Sequence, residues 1–268
     1  MISCHAQTDV GRHRSLNEDA IFARDSLFVV CDGLGGHTAG EVASQLAIDV
    51  IAAFVRQSAE DAEITWPYGF QRNTSFDGNR LRTGIKLANR AVFRKGTYSE
   101  GYRGMGTTVA AMIMSQSGPL MTYAHVGDSR LYLIRESVIH QLTHDDSWAN
   151  LSLEGGPPEY AANAAKKNLL TKALGTLEDV DFEVMERELN DGDVVLLCSD
   201  GLTNMVPDQS ILDIVLAREA DLEGACSALV TEANARGGRD NISAILVGYH
   251  FSGEARLPSN KPSGLSSS

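Results

Sequence analysis

Four aspartates of the chain share one local setting, because each lies where an apolar segment of the sequence meets a turn. They are Asp32 in FVVCDGLGG, Asp128 in AHVGDSRLYLI, Asp200 in VVLLCSDGL and Asp240 in GGRDNISAILV. A single aspartate in a turn is ordinary, since its carboxylate accepts hydrogen bonds from its own backbone. Strands of one core can bring their ends together, so four such aspartates indicate a shared site.

The chemistry available to such a site is the binding of a hard cation. Four converging carboxylates repel one another unless positive charge lies between them. A set of oxygen ligands favours Mg²⁺ or Mn²⁺ over zinc. Glycines beside the aspartates let backbone carbonyls and water approach an ion without an intervening side chain.

The glycine-rich segment after Asp32 does not match the motifs that bind nucleotides. A P-loop requires Gly-Lys-Ser/Thr, whereas this chain has GGHTAG. Gly33 and Gly35 match the start of the dinucleotide motif, but Thr38 stands where its third glycine is required. We therefore expect no nucleotide at this turn.

Short apolar segments rich in β-branched residues predict six strands, and apolar residues at helical spacing predict three helices. The predicted strands are residues 27–31, 107–114, 121–126, 131–134, 194–198 and 242–249. The predicted helices contain residues 42–54, 81–92 and 222–233, and the last ends before Gly237 and Gly238. On the second helix, Arg82, Lys86 and Arg90 fall on a different face from the apolar residues. Because strands and helices do not alternate regularly, a layered α+β fold is expected rather than a doubly wound sheet.

Composition limits the class of protein. The 268 residues are 43% hydrophobic, enough for a sizeable core. The net charge of −12 opposes binding to nucleic acid. No apolar segment has the length of a membrane span, and the N-terminus lacks the apolar core of a signal peptide. The four cysteines are scattered without CxxC spacing, which indicates free thiols in the reducing cytoplasm.

Three regions fall outside the strand and helix patterns. Residues 58–79 are interpreted as a surface insertion and residues 145–167 as a mobile loop. The Ser-, Pro- and Gly-rich residues 252–268 are expected to be disordered, which leaves residues 1–251 as one domain.

Eight segments, in their order along the chain, resemble the type 2C family of metal-dependent serine/threonine protein phosphatases, in its bacterial branch. They are TDVGRHRSLNEDA, VVCDGLGGHTAGEVAS, GMGTTVAA, HVGDSRLYLI, LTHDDS, NLLTKALGT, LLCSDGLTNMV and GGRDNISAILV, and they span roughly residues 8–249. The resemblance implies a four-layer α-β-β-α sandwich of two packed, mostly antiparallel sheets flanked by helices. It also implies hydrolysis of phosphoserine and phosphothreonine by a hydroxide that bridges two Mg²⁺ or Mn²⁺ ions.

The resemblance also implies roles for individual residues. Asp32 would bridge both core ions. The first ion would also be held by the Gly33 carbonyl and, through water, by Glu18, and the second ion by Asp200 and Asp240. Asp128, together with Asp200, would bind a weaker third ion. Arg14 would bind the substrate phosphate, for which the planar, charged fork of an arginine is suited.

The proton donor to the leaving alkoxide stays open among three alternatives. Animal members of the family have a histidine two residues after the bridging aspartate, where this chain has Leu34. His37 is either the acid or a residue that hydrogen-bonds at the start of the next helix, and a metal-bound water is the third alternative. Asn204 stands where animal members have an aspartate, so a fourth ligand of the third ion also stays open.

Two other functions are compatible with the same fold. A phosphoprotein-binding pseudophosphatase would require the loss of a ligand, whereas all the expected carboxylates are present. A hydrolase of small phosphomonoesters is not excluded, because the site recognises mainly the phosphoryl group. The resemblance favours a cytoplasmic monomer whose partners are phosphorylated proteins, namely serine/threonine kinases and their substrates, with no nucleic-acid or membrane partner.

Overall fold

The computed structural model describes residues 1–35, 39–61, 63–147, 170–218 and 220–251. Two sheets contain the strands of this part of the chain, and every pair of neighbouring strands is antiparallel. The first sheet has the order β1-β11-β10-β7-β8. Its strands are β1 (Ile2–Asp9), β7 (Arg130–Arg135), β8 (Val138–Gln141), β10 (Val194–Cys198) and β11 (Ile242–Tyr249).

The second sheet has the order β2-β3-β5-β6-β9, and the two-residue strand β4 pairs with the end of β3. Its strands are β2 (Asp19–Arg24), β3 (Leu27–Leu34), β4 (Gly106–Thr107), β5 (Val109–Met114), β6 (Leu120–Val126) and β9 (Val184–Glu188).

Five α-helices occur in the described part of the chain. They are α1 (Ala39–Glu60), α2 (Phe76–Tyr98), α3 (Asp200–Thr203), α4 (Asp208–Leu216) and α5 (Leu222–Ala235). Helices α1 and α2 pack on the outer face of the second sheet, and α3 to α5 pack on the outer face of the first. This is the four-layer α+β arrangement expected from the resemblance.

Strand β3 shows why the central strands are apolar without alternation. Leu27, Val29 and Cys31 belong to the core beneath α1 and α2, whereas Phe28 and Val30 belong to the core between the two sheets. Both faces of the strand are therefore buried, and each residue of the apolar segment has a packing partner.

The predicted strands and helices are all present, although some bounds move by a few residues. The structure divides predicted strand 107–114 into β4 and β5, because Thr108 lies between the two pairings. Four strands and two helices were not predicted, namely β1, β2, β8, β9, α3 and α4. Strand β8 illustrates the reason, since three of its four residues are exposed and its sequence, VIHQ, carries little apolar signal.

The interpretation of residues 58–79 as an insertion needs correction, because this range includes the last residues of α1 and the first of α2. Between the two helices, the Trp66 ring packs edge-to-face against three phenylalanines, Phe54, Phe70 and Phe76. Most of the predicted loop 145–167 and the whole of the predicted tail 252–268 lie outside the described residues.

Within the described residues, no helix combines the length and the apolar content needed to cross a bilayer. The four cysteines are free, as expected. Cys31, Cys198 and Cys226 are buried, whereas Cys4 is exposed on β1.

Candidate active site

The four aspartates that share a setting in the sequence line one cavity of about 270 Å³. Asp32 lies on β3, Asp128 in the turn between β6 and β7, Asp200 at the start of α3, and Asp240 just before β11. The two sheets therefore contribute their strand ends to the same end of the sandwich. Arg14, Glu18 and Gly33 line the same cavity, so seven of the eight predicted site residues are brought together. The eighth, His37, lies outside the described residues.

The backbone at Asp32 is held from the neighbouring segment of the second sheet. The Asp32 N–H donates to Thr108 Oγ1 at 2.9 Å, and the Thr108 N–H donates back to the Asp32 carbonyl at 2.9 Å. Thr107 Oγ1 donates to the same carbonyl at 2.9 Å. These bonds satisfy the backbone of Asp32 within the protein and leave its carboxyl group to face the cavity.

Two glycines of the site are required by close approach of the backbone. A Cβ atom on Gly33 would lie 2.1 Å from the Gly40 carbonyl oxygen, and one on Gly201 would lie 1.9 Å from the Asn241 carbonyl oxygen. Both distances are far below van der Waals contact. Packing of the backbone at the strand ends is thus a reason for these glycines that the sequence analysis did not anticipate.

A fifth aspartate, Asp19, is buried in the same cluster and was missed. It pairs with Asp32 across β2 and β3, and only 8% of its surface is exposed. The hydroxyls of Ser199 and Ser243 both donate to Asp19 Oδ2 at 2.7 Å. The sequence contained one signal for it, because Asp19 follows Glu18 directly, but β2 was not recognised as a strand.

The carboxyl groups of this cluster resist ionisation in the absence of a cation. Burial, followed by repulsion from Asp19 and Asp200, holds the pKa of Asp32 well above its usual range. Burial raises the pKa of Asp19 to about 7, although the two serine hydroxyls oppose the shift. Burial and then the Asp200 charge raise the pKa of Asp128 to about 7. Burial and the Asp240 charge also raise the pKa of Asp200. After burial, repulsion from neighbouring carboxylates is the cause that these four pKa shifts share.

Three carboxylate oxygens of the cluster are buried without a hydrogen-bond partner in the described part of the chain: Glu18 Oε1, Asp19 Oδ1 and Asp200 Oδ1. A buried carboxylate oxygen without a partner is costly, and a bound cation would remove that cost. No three His, Cys, Asp or Glu side chains of the described residues come close enough to enclose a metal ion by themselves. Open carboxylate-lined cavities of this kind suit Mg²⁺, which keeps several waters and takes few protein ligands. The residues therefore fit a hydrated divalent cation.

Arg14 lies at the cavity in an ion pair. Its Nη2 atom is 2.7 Å from Asp240 Oδ2, and this hydrogen bond raises the pKa of the guanidinium. The Arg14 side chain is 48% exposed, so the pair faces solvent and the guanidinium can leave it at little cost.

Asn204 contacts the site through Asp200. Its Nδ2 atom donates to Asp200 Oδ2 at 2.9 Å, one turn along α3. The side chain thus fixes the orientation of one predicted ligand. His125 and His144 are not among the residues that line the cavity, and His125 Nε2 lies 2.7 Å from the His144 carbonyl oxygen.

The sequence and the fold match a known family. The model of the family described as protein phosphatase 2C matches residues 9–236. The chain is 37% identical over 257 residues to the serine/threonine phosphatase stp of Listeria monocytogenes, covering 91% of this chain and 95% of the relative. The solved structure of the Mycobacterium tuberculosis serine/threonine phosphatase PstP/Ppp has a TM-score of 0.77 and 32% identity, covering 93% of this chain and 99% of that chain. A structure of the catalytic domain of PstP in complex with two manganese ions has a TM-score of 0.75 at 32% identity, with the same coverage.

The chain therefore belongs to the protein phosphatase 2C family. It is a metal-dependent protein serine/threonine phosphatase with an α+β fold. The family, the fold class and the enzyme class predicted from the sequence are confirmed.

Proposed function

We propose that this chain removes phosphate from phosphoserine and phosphothreonine of proteins at the carboxylate-lined cavity, with two Mg²⁺ or Mn²⁺ ions as cofactors. The observation that carries the proposal is the set of three buried, unpartnered carboxylate oxygens beside the half-exposed Arg14. The two manganese ions of the PstP structure support the choice of metal. When bound, the ions supply a water of lowered pKa and neutralise charge on the phosphoryl oxygens.

We assign the metal ligands from among the residues that line the cavity. In this assignment, Asp32 would contribute to both core ions, the Gly33 carbonyl and, through water, Glu18 would hold the first, and Asp200 and Asp240 would hold the second. Asp128, which lines the same cavity, would hold a weaker third ion together with Asp200. Burial, followed by the charge of Asp200, raises the pKa of Asp128, and this proximity of the two carboxyl groups supports the assignment.

Arg14 is the phosphate-binding residue in this proposal. With no cation present its guanidinium is neutralised by Asp240. If Asp240 held a cation, the Arg14 guanidinium would be released from this pair and could bind two oxygens of a phosphomonoester. Substrate binding would then be coupled to occupation of the metal site.

The acid that protonates the leaving alkoxide is assigned to His37 or to water. Among the described residues that line the cavity there is no His, Lys, Tyr or Cys to take this role. His37 follows Gly35 by two residues in the sequence, which is what favours it.

We further propose that the partners are phosphorylated serine/threonine kinases and their substrates, and that the enzyme acts as a cytoplasmic monomer. In this proposal residues 1–251 form one catalytic domain. The confirmed enzyme class supports phosphorylated proteins as substrates.

The test is phosphate release from a phosphothreonine peptide, measured with Mn²⁺, after chelation by EDTA, and after Mn²⁺ is restored. We expect turnover only when the metal is present. We also expect a much lower kcat/KM for sugar phosphates than for the phosphothreonine peptide. Equal kcat/KM for sugar phosphates would assign the site to small phosphomonoesters. Binding of the phosphopeptide without turnover would assign it to a pseudophosphatase.

A further inference from the structure

Helix α2 carries a charge opposite to that of the protein as a whole. The chain has 35 acidic and 23 basic residues, whereas α2 has six basic residues and one acidic residue, Asp77. The basic residues are Arg80, Arg82, Lys86, Arg90, Arg94 and Lys95. The helix is therefore a cationic surface element on an acidic protein.

Part of this charge is used inside the protein, and part is not. Four side chains have partners: Arg80 with Asp77 at 2.7 Å, Arg82 with the Tyr68 carbonyl oxygen at 3.2 Å, Lys86 with Asp179 at 2.9 Å, and Lys95 over the Tyr102 ring at 4.7 Å. Arg90 and Arg94 are exposed and make no ion pair, hydrogen bond or ring contact within the described residues. The fold thus gives no internal role to either guanidinium.

The free arginines continue a row of like charge. Lys86, Arg90 and Arg94 are spaced by four residues, so they lie along one side of the helix, away from the buried Ile85 and Val92. Like charges at this spacing destabilise a helix. Helix stability therefore does not explain the row, which we call the basic row of α2.

The basic row leads towards the active site. The last turn of α2 packs against the segment before β4, where Gly96 lies close to Tyr102 and Met105. Strand β4 pairs directly with Gly33 and Leu34 of the cavity. From Lys86 to Arg94 the helix rises about 12 Å, a length that about four residues of extended peptide cover.

We infer that Arg90 and Arg94, the two unpaired residues of the basic row of α2, bind an acidic segment of the phosphoprotein whose phosphorylated residue occupies the cavity. The inference rests on the proposed function and adds a substrate preference to it. Charge complementarity selects the occupant, because the two free guanidinium groups attract an acidic segment whereas the protein as a whole carries a net charge of −12. A membrane or a nucleic acid is a less favourable occupant, since its extended negative charge would also face the rest of this acidic protein.

The test compares two phosphothreonine peptides with the Mn²⁺-loaded full chain. One peptide has a flanking tract of Asp and Glu, and the other has Asn and Gln at the same positions. We expect the double variant Arg90→Gln/Arg94→Gln to lose about three- to tenfold in kcat/KM for the acidic peptide at low salt, through KM with kcat unchanged. The neutral peptide should be unaffected, and the difference should vanish at high ionic strength.

Two matched variants separate local docking from overall charge. Arg90→Lys/Arg94→Lys keeps the charge and should keep the preference. Arg24→Gln/Arg187→Gln removes the same charge from exposed residues at the other end of the second sheet, where Arg24 pairs with Leu27 and Arg187 with Met121. This control should behave like the unchanged protein towards both peptides.

Binding of an unphosphorylated acidic peptide, followed by fluorescence anisotropy, tests the docking without any turnover. Weaker binding by the Arg90→Gln/Arg94→Gln variant than by the control supports the inference, even if the proposed function fails in the phosphate-release assay. Equal losses in the variant and the control would overturn it, as would equal losses for the acidic and neutral peptides. Loss of binding to phosphatidylserine vesicles with unchanged peptide kinetics would assign the row to a lipid surface instead.

Discussion

Replacement of Asp19 by asparagine should stabilise the protein when no metal is bound. In the folded, metal-free protein, burial raises the pKa of Asp19 to about 7, against 3.8 for an ordinary aspartate. Between these two values the folded state holds a proton that the unfolded state has released. The free energy of unfolding therefore falls as the pH rises, by about 1.4 kcal/mol per pH unit, or about 4 kcal/mol over the whole interval. The stabilisation is fully present below pH 4 and is lost as the pH passes 7.

Asparagine removes the charge and keeps the shape. Its carbonyl oxygen can still accept hydrogen bonds from the hydroxyls of Ser199 and Ser243, which both donate to Asp19 Oδ2. The free energy of unfolding of Asp19→Asn should thus depend less on pH, and at pH 8 it should exceed that of the unchanged protein by a few kcal/mol. The assay is urea unfolding in EDTA at several values between pH 5 and pH 8.

A second buried aspartate provides the matched control. Asp193 is 2% exposed but is paired with Arg135 at 2.6 Å, outside the active site. Asp193→Asn leaves that guanidinium without its charge partner, so it should lower stability at pH 8 instead of raising it. If the unchanged protein were as stable at pH 8 as at pH 5 in EDTA, or if Asp19→Asn were the less stable protein at pH 8, the reasoning from buried charge would be refuted.

Four further predictions concern catalysis. Removal of metal by EDTA should abolish phosphatase activity and Mn²⁺ should restore it, so full activity of a chelated, metal-free sample would rule out the two-ion site. Asp32→Ala should lower kcat by more than about a hundredfold, or ~3 kcal/mol, because it removes a shared ligand, and retention of half the activity would reduce Asp32 to a turn residue. Arg14→Ala should raise KM for phosphopeptides more than it lowers kcat, and an unchanged KM would place the phosphate contact elsewhere. Asp128→Ala should retain tight metal binding in a titration but lose most turnover, whereas normal kcat at saturating Mn²⁺ would show that Asp128 only shapes its turn.

The strands that the sequence predicted are the ones buried on both faces. Strands β5, β10 and β11 have long apolar segments because each packs against the other sheet and against helices. Strand β1 was missed because none of its eight residues is fully buried and three are exposed, and its polar residues hide the pattern. Sequence patterns thus locate the inner layers of a four-layer fold better than its edges.

As with the strands, only part of the site could be predicted from local sequence patterns. The aspartates at the ends of predicted strands were found, since a turn signal and an apolar segment mark each of them. Asp19 was not, because it begins a strand that was not recognised and its role depends on the cross-strand register with Asp32. The pairing of Arg14 with Asp240 also depends on a contact between segments 226 residues apart, which no local pattern reveals.

Stability and function oppose each other at this cavity. Asp19, Asp32 and Asp200 lie close together in the cluster: Asp19 and Asp200 both raise the pKa of Asp32, and Asp200 also raises the pKa of Asp19. If these carboxyl groups had no function, apolar residues of similar volume in their place would make the folded protein more stable. Their retention, together with oxygen atoms that have no partner in the described protein, is explained if the cluster is completed by cations. The same repulsion that destabilises the metal-free protein is then the source of its affinity for Mg²⁺ or Mn²⁺, so variants that relieve the repulsion should gain stability in EDTA and lose metal binding together.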